Sequence, residues 1–423
     1  MRQLASSADK MKRSGQYSWI IVVTLLLVAT SLSFLDRQVL SVSIIKIREE
    51  IPISDVGYGF VNTGFLISYA LMFTLGGVLT DRFGSRLGLA VSVGFWSFAT
   101  LLHSLATSAL HLGFFRFLLG LGEGGCFPGA VKAVIERVPR KRHALANGIA
   151  IGGSALGAVI APPLCAWLLI EMDWRSLFLI TGLFGFVWLA AWLFFTRIRS
   201  GSESVSGDFI VKENSYDIVK FLSLLKNREA LTFIGIRFIL DPIFYFYMFW
   251  IPKYLNESQS LSLENIGNIL WIPFLALGVG NFIGGWFSDL IFRKTSNTNL
   301  ARKFVMGIAA ALTLPLTVVG FINSTMVIVI LMTLAFFAHG LWITNYITSI
   351  SDIFGNRVTS TVVGLSGSAG AVSALILNPL IGLVVSHYSY NPLWWYAGLM
   401  YPVAFLMLVT LIPKIEGKVF NKK

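Results

Sequence analysis

Gly77-Val78-Leu79-Thr80-Asp81-Arg82-Phe83-Gly84 closes one long apolar run, and Gly285-Trp286-Phe287-Ser288-Asp289-Leu290-Ile291-Phe292-Arg293 closes another. Asp81 and Asp289 are 208 residues apart. A second pair of segments recurs at nearly the same offset. Gly153-Ser154-Ala155-Leu156-Gly157-Ala158-Val159 is echoed by Gly367-Ser368-Ala369-Gly370-Ala371-Val372, 214 residues later. Repetition at a fixed spacing marks one structural unit used twice. Two parallel halves with a site near the bilayer midplane are a transporter architecture.

Around these repeats the chain is overwhelmingly apolar. Its 423 residues are 55% hydrophobic and 13% charged, against about 25% charged in soluble domains. Twelve apolar spans are read at 17–45, 57–80, 87–107, 111–137, 143–169, 175–196, 229–255, 264–291, 301–323, 325–350, 358–387 and 391–413. A bilayer crossing needs ~20 residues, and in lipid a backbone this long satisfies its polar groups only as helix. The expected fold is therefore an all-α membrane protein of twelve transmembrane helices in two six-helix pseudo-symmetric halves. The halves are residues 1–198 and 229–423, joined by a cytoplasmic linker over 199–228. That linker opens with the flexible run Ser200-Gly201-Ser202-Glu203-Ser204 and continues into Tyr216–Arg228, read as an amphipathic connector.

The formal net charge of +12 does not point to nucleic acid, because its placement follows the membrane. Arg82, Arg86, Arg137, Arg140, Lys141, Arg142, Arg293, Lys294, Arg302, Lys303 and Arg357 fall on one side, with both termini. The other side has Lys46, Arg48, Arg175 and Lys253. The positive-inside rule puts both termini in the cytoplasm. Nothing resembles a cleavable leader. Cys126 and Cys165 both lie in apolar spans and make neither a disulfide framework nor a metal site. No metal-ligand cluster, nucleophile elbow or phosphate loop is present, so neither an enzyme nor a cofactor is expected. The repeat and the midplane charges argue against a channel. The two sequons, at Asn256 and Asn323, are read as chance.

Charges inside apolar spans are costly and mark function by default. Asp36 and Arg37 stand side by side in Leu32-Ser33-Phe34-Leu35-Asp36-Arg37-Gln38-Val39-Leu40. Glu123 is a lone carboxylate in Arg116-Phe117-Leu118-Leu119-Gly120-Leu121-Gly122-Glu123-Gly124-Gly125, placed to load and release protons or to hold helices together. In helix seven Arg237 and Asp241 are four apart and share a face with Tyr245 nearby, as an ion pair or as substrate contacts. His339 on helix ten is a proton relay or a satisfied interior polar group, and Asn345 on the same helix is a possible site residue. Lys132 and Glu136 are spaced for a structural helical pair.

Gly77-x-x-x-Asp81-Arg82-x-Gly84-x-Arg86 resembles the signature loop of the major facilitator superfamily, which implies a gating role for Gly77, Asp81, Arg82 and Gly84. Asp36-Arg37, Ser68-Tyr69-Ala70-Leu71-Met72, Arg116–Pro128, Asn147-Gly148 and Ala161-Pro162-Pro163 resemble the anion:cation symporter family within it. Arg237-Phe238-Ile239-Leu240-Asp241-Pro242 and Phe249-Trp250-Ile251-Pro252-Lys253-Tyr254-Leu255 are similar to the bacterial hexuronate-transporter branch. The likeness covers nearly the whole chain. It implies a carboxylate substrate at Arg37 with Tyr69, Asn147, Tyr245, Ser366, Ser368 and Asn378 around the sugar, and proton coupling at Asp36 and Glu123.

The expected function is proton-coupled symport of an organic anion, a hexuronate or related sugar acid, by alternating access. An organic anion exchanger, or uptake of an aldonate, aromatic acid or phosphorylated anion, is the alternative. The expected partners are the small anion, protons and the lipid bilayer, with no nucleic acid. The chain is expected to act as a monomer in a bacterial inner membrane.

Overall fold

The structure is a computed structural model and describes residues 2–139, 142–197, 224 and 226–416. The side chains of residues 2–18, 74, 81, 144, 356–358 and 360 lie outside the described set. So do Arg140, Lys141 and nearly all of the connector expected at Tyr216–Arg228.

Twelve helices among the described residues are long and apolar enough to cross a membrane. They are α1 (Trp19–Glu50), α2 (Asp55–Phe73), α3 (Arg82–His103), α4 (Ala109–Arg137), α5 (Leu145–Glu171), α6 (Trp174–Thr196), α7 (Arg228–Phe249), α8 (Leu263–Thr295), α9 (Thr298–Phe321), α10 (Thr325–Gly355), α11 (Thr361–Tyr388) and α12 (Asn391–Leu411). No strand occurs among the described residues. Every expected span is occupied by one of these helices, and the differences lie at their ends and breaks.

Glycine and proline explain the breaks. α4 stops at Glu123 and restarts at Cys126. Gly124 and Gly125 between them are weak helix formers, and Gly124 lies against the backbone of Met72 and Phe73. The span expected over 229–255 ends at Phe249, and a separate turn runs Ile251–Glu257 with Pro252 in its first positions, where a missing N–H costs nothing. α9 finishes as a 3₁₀ helix, Leu314–Phe321, again with proline at its start.

Two joints are made without a loop. Gly84, with φ 78° and ψ 159°, breaks the continuous helical run Asp55–His103 in the first turn of α3, and Gly355, with φ 62° and ψ −179°, breaks the run Thr325–Tyr388 at the end of α10. Both conformations are essentially reserved for glycine.

The chain forms two compact units, Met1–Ile53 with Gly64–Ser204, and Ser54–Thr63 with Val205–Lys423. In the first, α5 lies on α1 at backbone distance. A Cβ at Gly153 would strike the Leu27 carbonyl, and one at Gly157 the Ser31 carbonyl. The close approach lets Thr30 Oγ1 donate to the Ala150 carbonyl (2.6 Å), Ser31 Oγ to Gly153 (2.9 Å) and Gln38 Nε2 to Ala158 (3.1 Å). Small residues serve this purpose in membranes, where packing and interhelical hydrogen bonds replace a hydrophobic drive.

The second unit repeats the device between α8 and α10. Gly280 and Gly284 meet the backbone of Phe337 and Leu341, and Asn345 Nδ2 donates to the Gly284 carbonyl at 3.0 Å. The opening turns of α2 also pack here: Tyr58 donates to the Phe249 carbonyl (2.6 Å) and Thr63 to that of Leu375 (3.2 Å).

Large apolar side chains stay exposed on each unit, among them Val187 (68%) and Leu105 (67%) in the first and Phe282 (75%) and Phe321 (73%) in the second. Such faces belong in lipid rather than water. Both cysteines are free and fully buried in the first unit.

Candidate functional site

In the first unit the site grows from α1. Ser33 and Arg37 are four residues apart and share a face. Arg37 Nε donates to Glu123 Oε2 at 2.6 Å, and Ser33 Oγ donates to the same oxygen at 2.9 Å. The other oxygen, Oε1, is buried and has no hydrogen-bond partner among the described residues. Glu123 is the last residue before the break in α4.

Rings complete the pocket of Arg37. Its guanidinium carbon lies 4.6 Å from the centroid of Phe34, 5.3 Å from Phe65 and 4.5 Å from Tyr69. Phe65 and Tyr69 are themselves stacked at 5.3 Å. Tyr69 thus offers the arginine a ring face, and a desolvated contact of this kind is worth ~2 kcal/mol. Close to these residues Arg116 Nη2 donates to the Arg37 carbonyl at 2.9 Å, fixing the α1 backbone from α4. Asp36, Arg37, Arg116 and Glu123 are all buried, two arginines and two carboxyl side chains in the interior of the first unit. Asp36 faces Trp96 and Thr100 of α3, and its Oδ1 is buried without a hydrogen-bond partner among the described residues.

Asn147 stands apart. α5 runs parallel to α1, with Ala150 opposite Thr30 and Ala158 opposite Gln38. Asn147 is therefore level with about Leu27, ten residues below Arg37 in the α1 register, or roughly 15 Å at 1.5 Å per residue.

In the second unit Arg237 binds Asp241 through Nε (2.8 Å) and Nη2 (2.7 Å), both on Oδ2. Gly370 of α11 lies against that carboxylate, which a Cβ would strike. Tyr346 and Ser366 neighbour each other close to this pair, and Tyr245 is one turn beyond Asp241. Ser368 is exposed, whereas Ser366 is buried. Asn378 is buried with its amide committed: Trp250 Nε1 donates to its Oδ1 (3.1 Å), and its Nδ2 donates to the Ala374 carbonyl (2.9 Å). His339 Nδ1 is hydrogen-bonded to the Tyr401 hydroxyl and its ring stacks on Phe244.

At the signature loop Gly77 packs near Pro128, Arg82 is exposed beside the Phe83 ring, and the Asp81 side chain lies outside the described residues. Glu136, expected only as a partner for Lys132, accepts from Ser85 N (3.2 Å) and Oγ (2.6 Å), so it caps the turn after Gly84. In the second unit Arg302 does comparable work with Ser288 (2.7 Å), Asp289 (3.3 Å) and Asp352 (2.9 Å).

One further cluster was not expected from the sequence. Lys253 is 1% exposed and pairs with Asp55 (2.8 Å) and Glu257, while donating to the Tyr390 hydroxyl (3.2 Å). Burial, with Glu257 and Asp55 close by, pushes the Tyr390 phenol up.

The profile of the Major Facilitator Superfamily matches residues 26–377. The chain belongs to the major facilitator superfamily. As a member of that superfamily it is a transporter and not an enzyme. It is 26% identical to the "Probable galactarate/D-glucarate transporter GarP" of Escherichia coli (strain K12), over 96% of this chain and 98% of the relative. It is equally 26% identical to the "Hexuronate transporter" of the same organism, over 96% and 97%. Among solved structures, a bacterial homolog of the human lysosomal transporter Spinster superposes with a TM-score of 0.76 at 19% identity, covering 94% of this chain and 96% of that one. By their names, one of the two Escherichia coli relatives carries galactarate and D-glucarate and the other carries hexuronate.

Proposed function

We propose that this protein takes up a sugar acid, a hexuronate or a related aldarate or aldonate, by proton-coupled symport with alternating access. The Arg37–Glu123 pair carries the reading. A guanidinium is a planar fork suited to a carboxylate, and the Arg37 fork is buried among aromatic rings with one edge held by Glu123.

Charge balance supplies the coupling. Two arginines and two carboxylates balance in the resting cluster. A substrate carboxylate adds one negative charge, and an uncompensated buried charge costs several kcal/mol. A proton on Glu123 or Asp36 restores neutrality, so anion and proton bind together. Arg37 and Tyr69 hold the acid end. The sugar hydroxyls need polar partners, and Tyr245, Ser366 and Ser368 are the candidates that the second unit offers by itself. Asn147, on α5 level with Leu27, is too far from Arg37 and Asn378 is already committed, so neither enters this reading. Gly77, Asp81, Arg82 and Gly84 act in gating.

We also infer a monomer in a bacterial inner membrane, with both termini cytoplasmic. The Lys/Arg bias of alternate loops supports this orientation.

Uptake of labelled D-glucuronate and D-glucarate into proteoliposomes under an inward proton gradient tests the proposal. The expected result is accumulation that a protonophore abolishes. Gradient-independent equilibration, or no uptake of any sugar acid, would overturn it.

A further inference from the structure

Arg237 and Asp241 do not cross-link the fold. Both belong to α7, so their ion pair ties no two elements together. An exposed i, i+4 pair contributes only ~0.2–0.5 kcal/mol to its helix. When such a pair is buried, desolvation offsets much or all of its Coulombic gain, and apolar residues of similar size would serve stability as well. Stability therefore gives no reason for this pair to be here.

The surroundings are built to accommodate it. Gly370 provides the space that the Asp241 carboxylate fills. Asp241 is the sole ionic partner of Arg237 among the described residues, and it engages Nε and Nη2 through one oxygen. The Arg237 side chain keeps 22% of its surface open, against 10% for Asp241. Four titratable groups face the pair: Tyr245 on α7, His339 and Tyr346 on α10, and Tyr401 on α12. Tyr346 is engaged with the Phe233 carbonyl (2.7 Å), and His339 and Tyr401 are engaged with each other. Asp241 is the only carboxylate among these groups.

We propose that Arg237 is a second carboxylate-binding point, opened by a proton on Asp241. Asp241 and a ligand carboxylate compete for the same guanidinium edge. Protonating Asp241 breaks its ionic hold on Arg237, and the ligand carboxylate takes its place. The site is neutral before and after: a proton on Asp241 accompanies each anion on Arg237. This rests on the sugar-acid reading above and adds a second proton-linked anion contact in a different unit from Arg37.

The test uses the full-length purified protein in weakly buffered detergent. Protons taken up on adding D-glucarate, which carries two carboxylates where D-glucuronate carries one, are read with an indicator dye, alongside affinity across pH. The variants are D241N, R237Q and the double variant R237Q/D241N, which removes both charges together and so keeps the helix neutral. D241N is expected to take up about one proton fewer per anion bound, with a correspondingly flatter pH dependence of affinity. The double variant, eluting and melting as a folded protein, is expected to bind roughly tenfold or more weakly. Unchanged proton uptake in D241N, or wild-type affinity in the folded double variant, would overturn this proposal alone. Absence of sugar-acid binding by the wild-type protein would overturn both this proposal and the function it rests on.

Discussion

Arg37 and Glu123 are joined through one nitrogen and one oxygen, Nε to Oε2 at 2.6 Å, while Glu123 Oε1 is buried without a hydrogen-bond partner among the described residues. That asymmetry sets the first prediction. Glu123→Gln keeps the shape but cannot ionise, so it should retain exchange of sugar acid across the membrane and lose accumulation driven by a proton gradient. Arg37→Ala should lose both. Counterflow and gradient-driven uptake in the same proteoliposomes separate the two; gradient-driven accumulation by Glu123→Gln would rule out a coupling role for that residue.

Backbone contact between α1 and α5 gives a packing test with its own control. Gly157→Ala would drive a Cβ into the Ser31 carbonyl, and overpacking of this kind costs ~1–3 kcal/mol. Gly148→Ala and Gly152→Ala meet nothing within 4 Å among the described residues and should be neutral or gain up to ~1 kcal/mol from helix propensity. Melting midpoints in detergent should therefore fall for the first and hold or rise for the others.

Gly84 and Gly355 occupy backbone regions closed to other residues. Alanine at either joint should cost ~1–3 kcal/mol, although among the described residues nothing lies within 4 Å of a Cβ at Gly355 and only Glu136 approaches one at Gly84. The same melting assay checks this, and an unchanged midpoint would show that these joints relax freely.

Lys253 lies almost fully buried against Asp55, Glu257 and Tyr390. Removing one partner of such a cluster leaves buried charge uncompensated and typically costs ~3–5 kcal/mol. Lys253→Ala should lower folded yield and melting temperature strongly. Pairing it with Asp55→Asn should recover part of the loss, because the surviving carboxylate then has less repulsion to bear.

Asp173 begins α6, accepting from Ser176 N at 2.6 Å. That backbone bond, chiefly, holds its carboxyl below the usual aspartate range. A lowered folded value means the ionised form favours the folded state. The contribution is present above the ordinary aspartate pKa of ~3.9 and is lost as pH falls below it. Asp173→Ala should cost ~1 kcal/mol at neutral pH, and Asp173→Asn should keep most of the cap while removing its acid sensitivity. Stability profiles from pH 3 to 7 distinguish the variants.

The sequence disclosed some features of this site and concealed others for physical reasons. Asp36, Arg37 and Glu123 stand out because a charge in an apolar span is rare and costly. Gly153 and Gly157 were visible as a repeated small-residue pattern. Arg116 lies in the same run as Glu123, but its role is to bind a carbonyl 79 residues away, which no periodicity encodes. Tyr69 was expected as a substrate contact; its ring face on Arg37 is a matter of rotamer and neighbouring helix. Asn147 and Asn378 look alike in sequence, as polar residues in apolar helices. Only the packing reveals that one sits on α5 level with Leu27, far from Arg37, and the other is bound to Trp250. Asp352 reaches Arg302 from 50 residues away and Glu136 caps Ser85 from 51. Both are long-range choices among several acidic residues of equal local promise.

The burial of Cys126 and Cys165 has a practical consequence. The folded protein presents no accessible native thiol among its described residues. A cysteine introduced at an exposed polar position between spans, such as Ser258 or Ser296, would be the first to meet a maleimide or spin label. Distance measurements between the two ends of any helix can therefore begin from the natural sequence, with both native cysteines left in place.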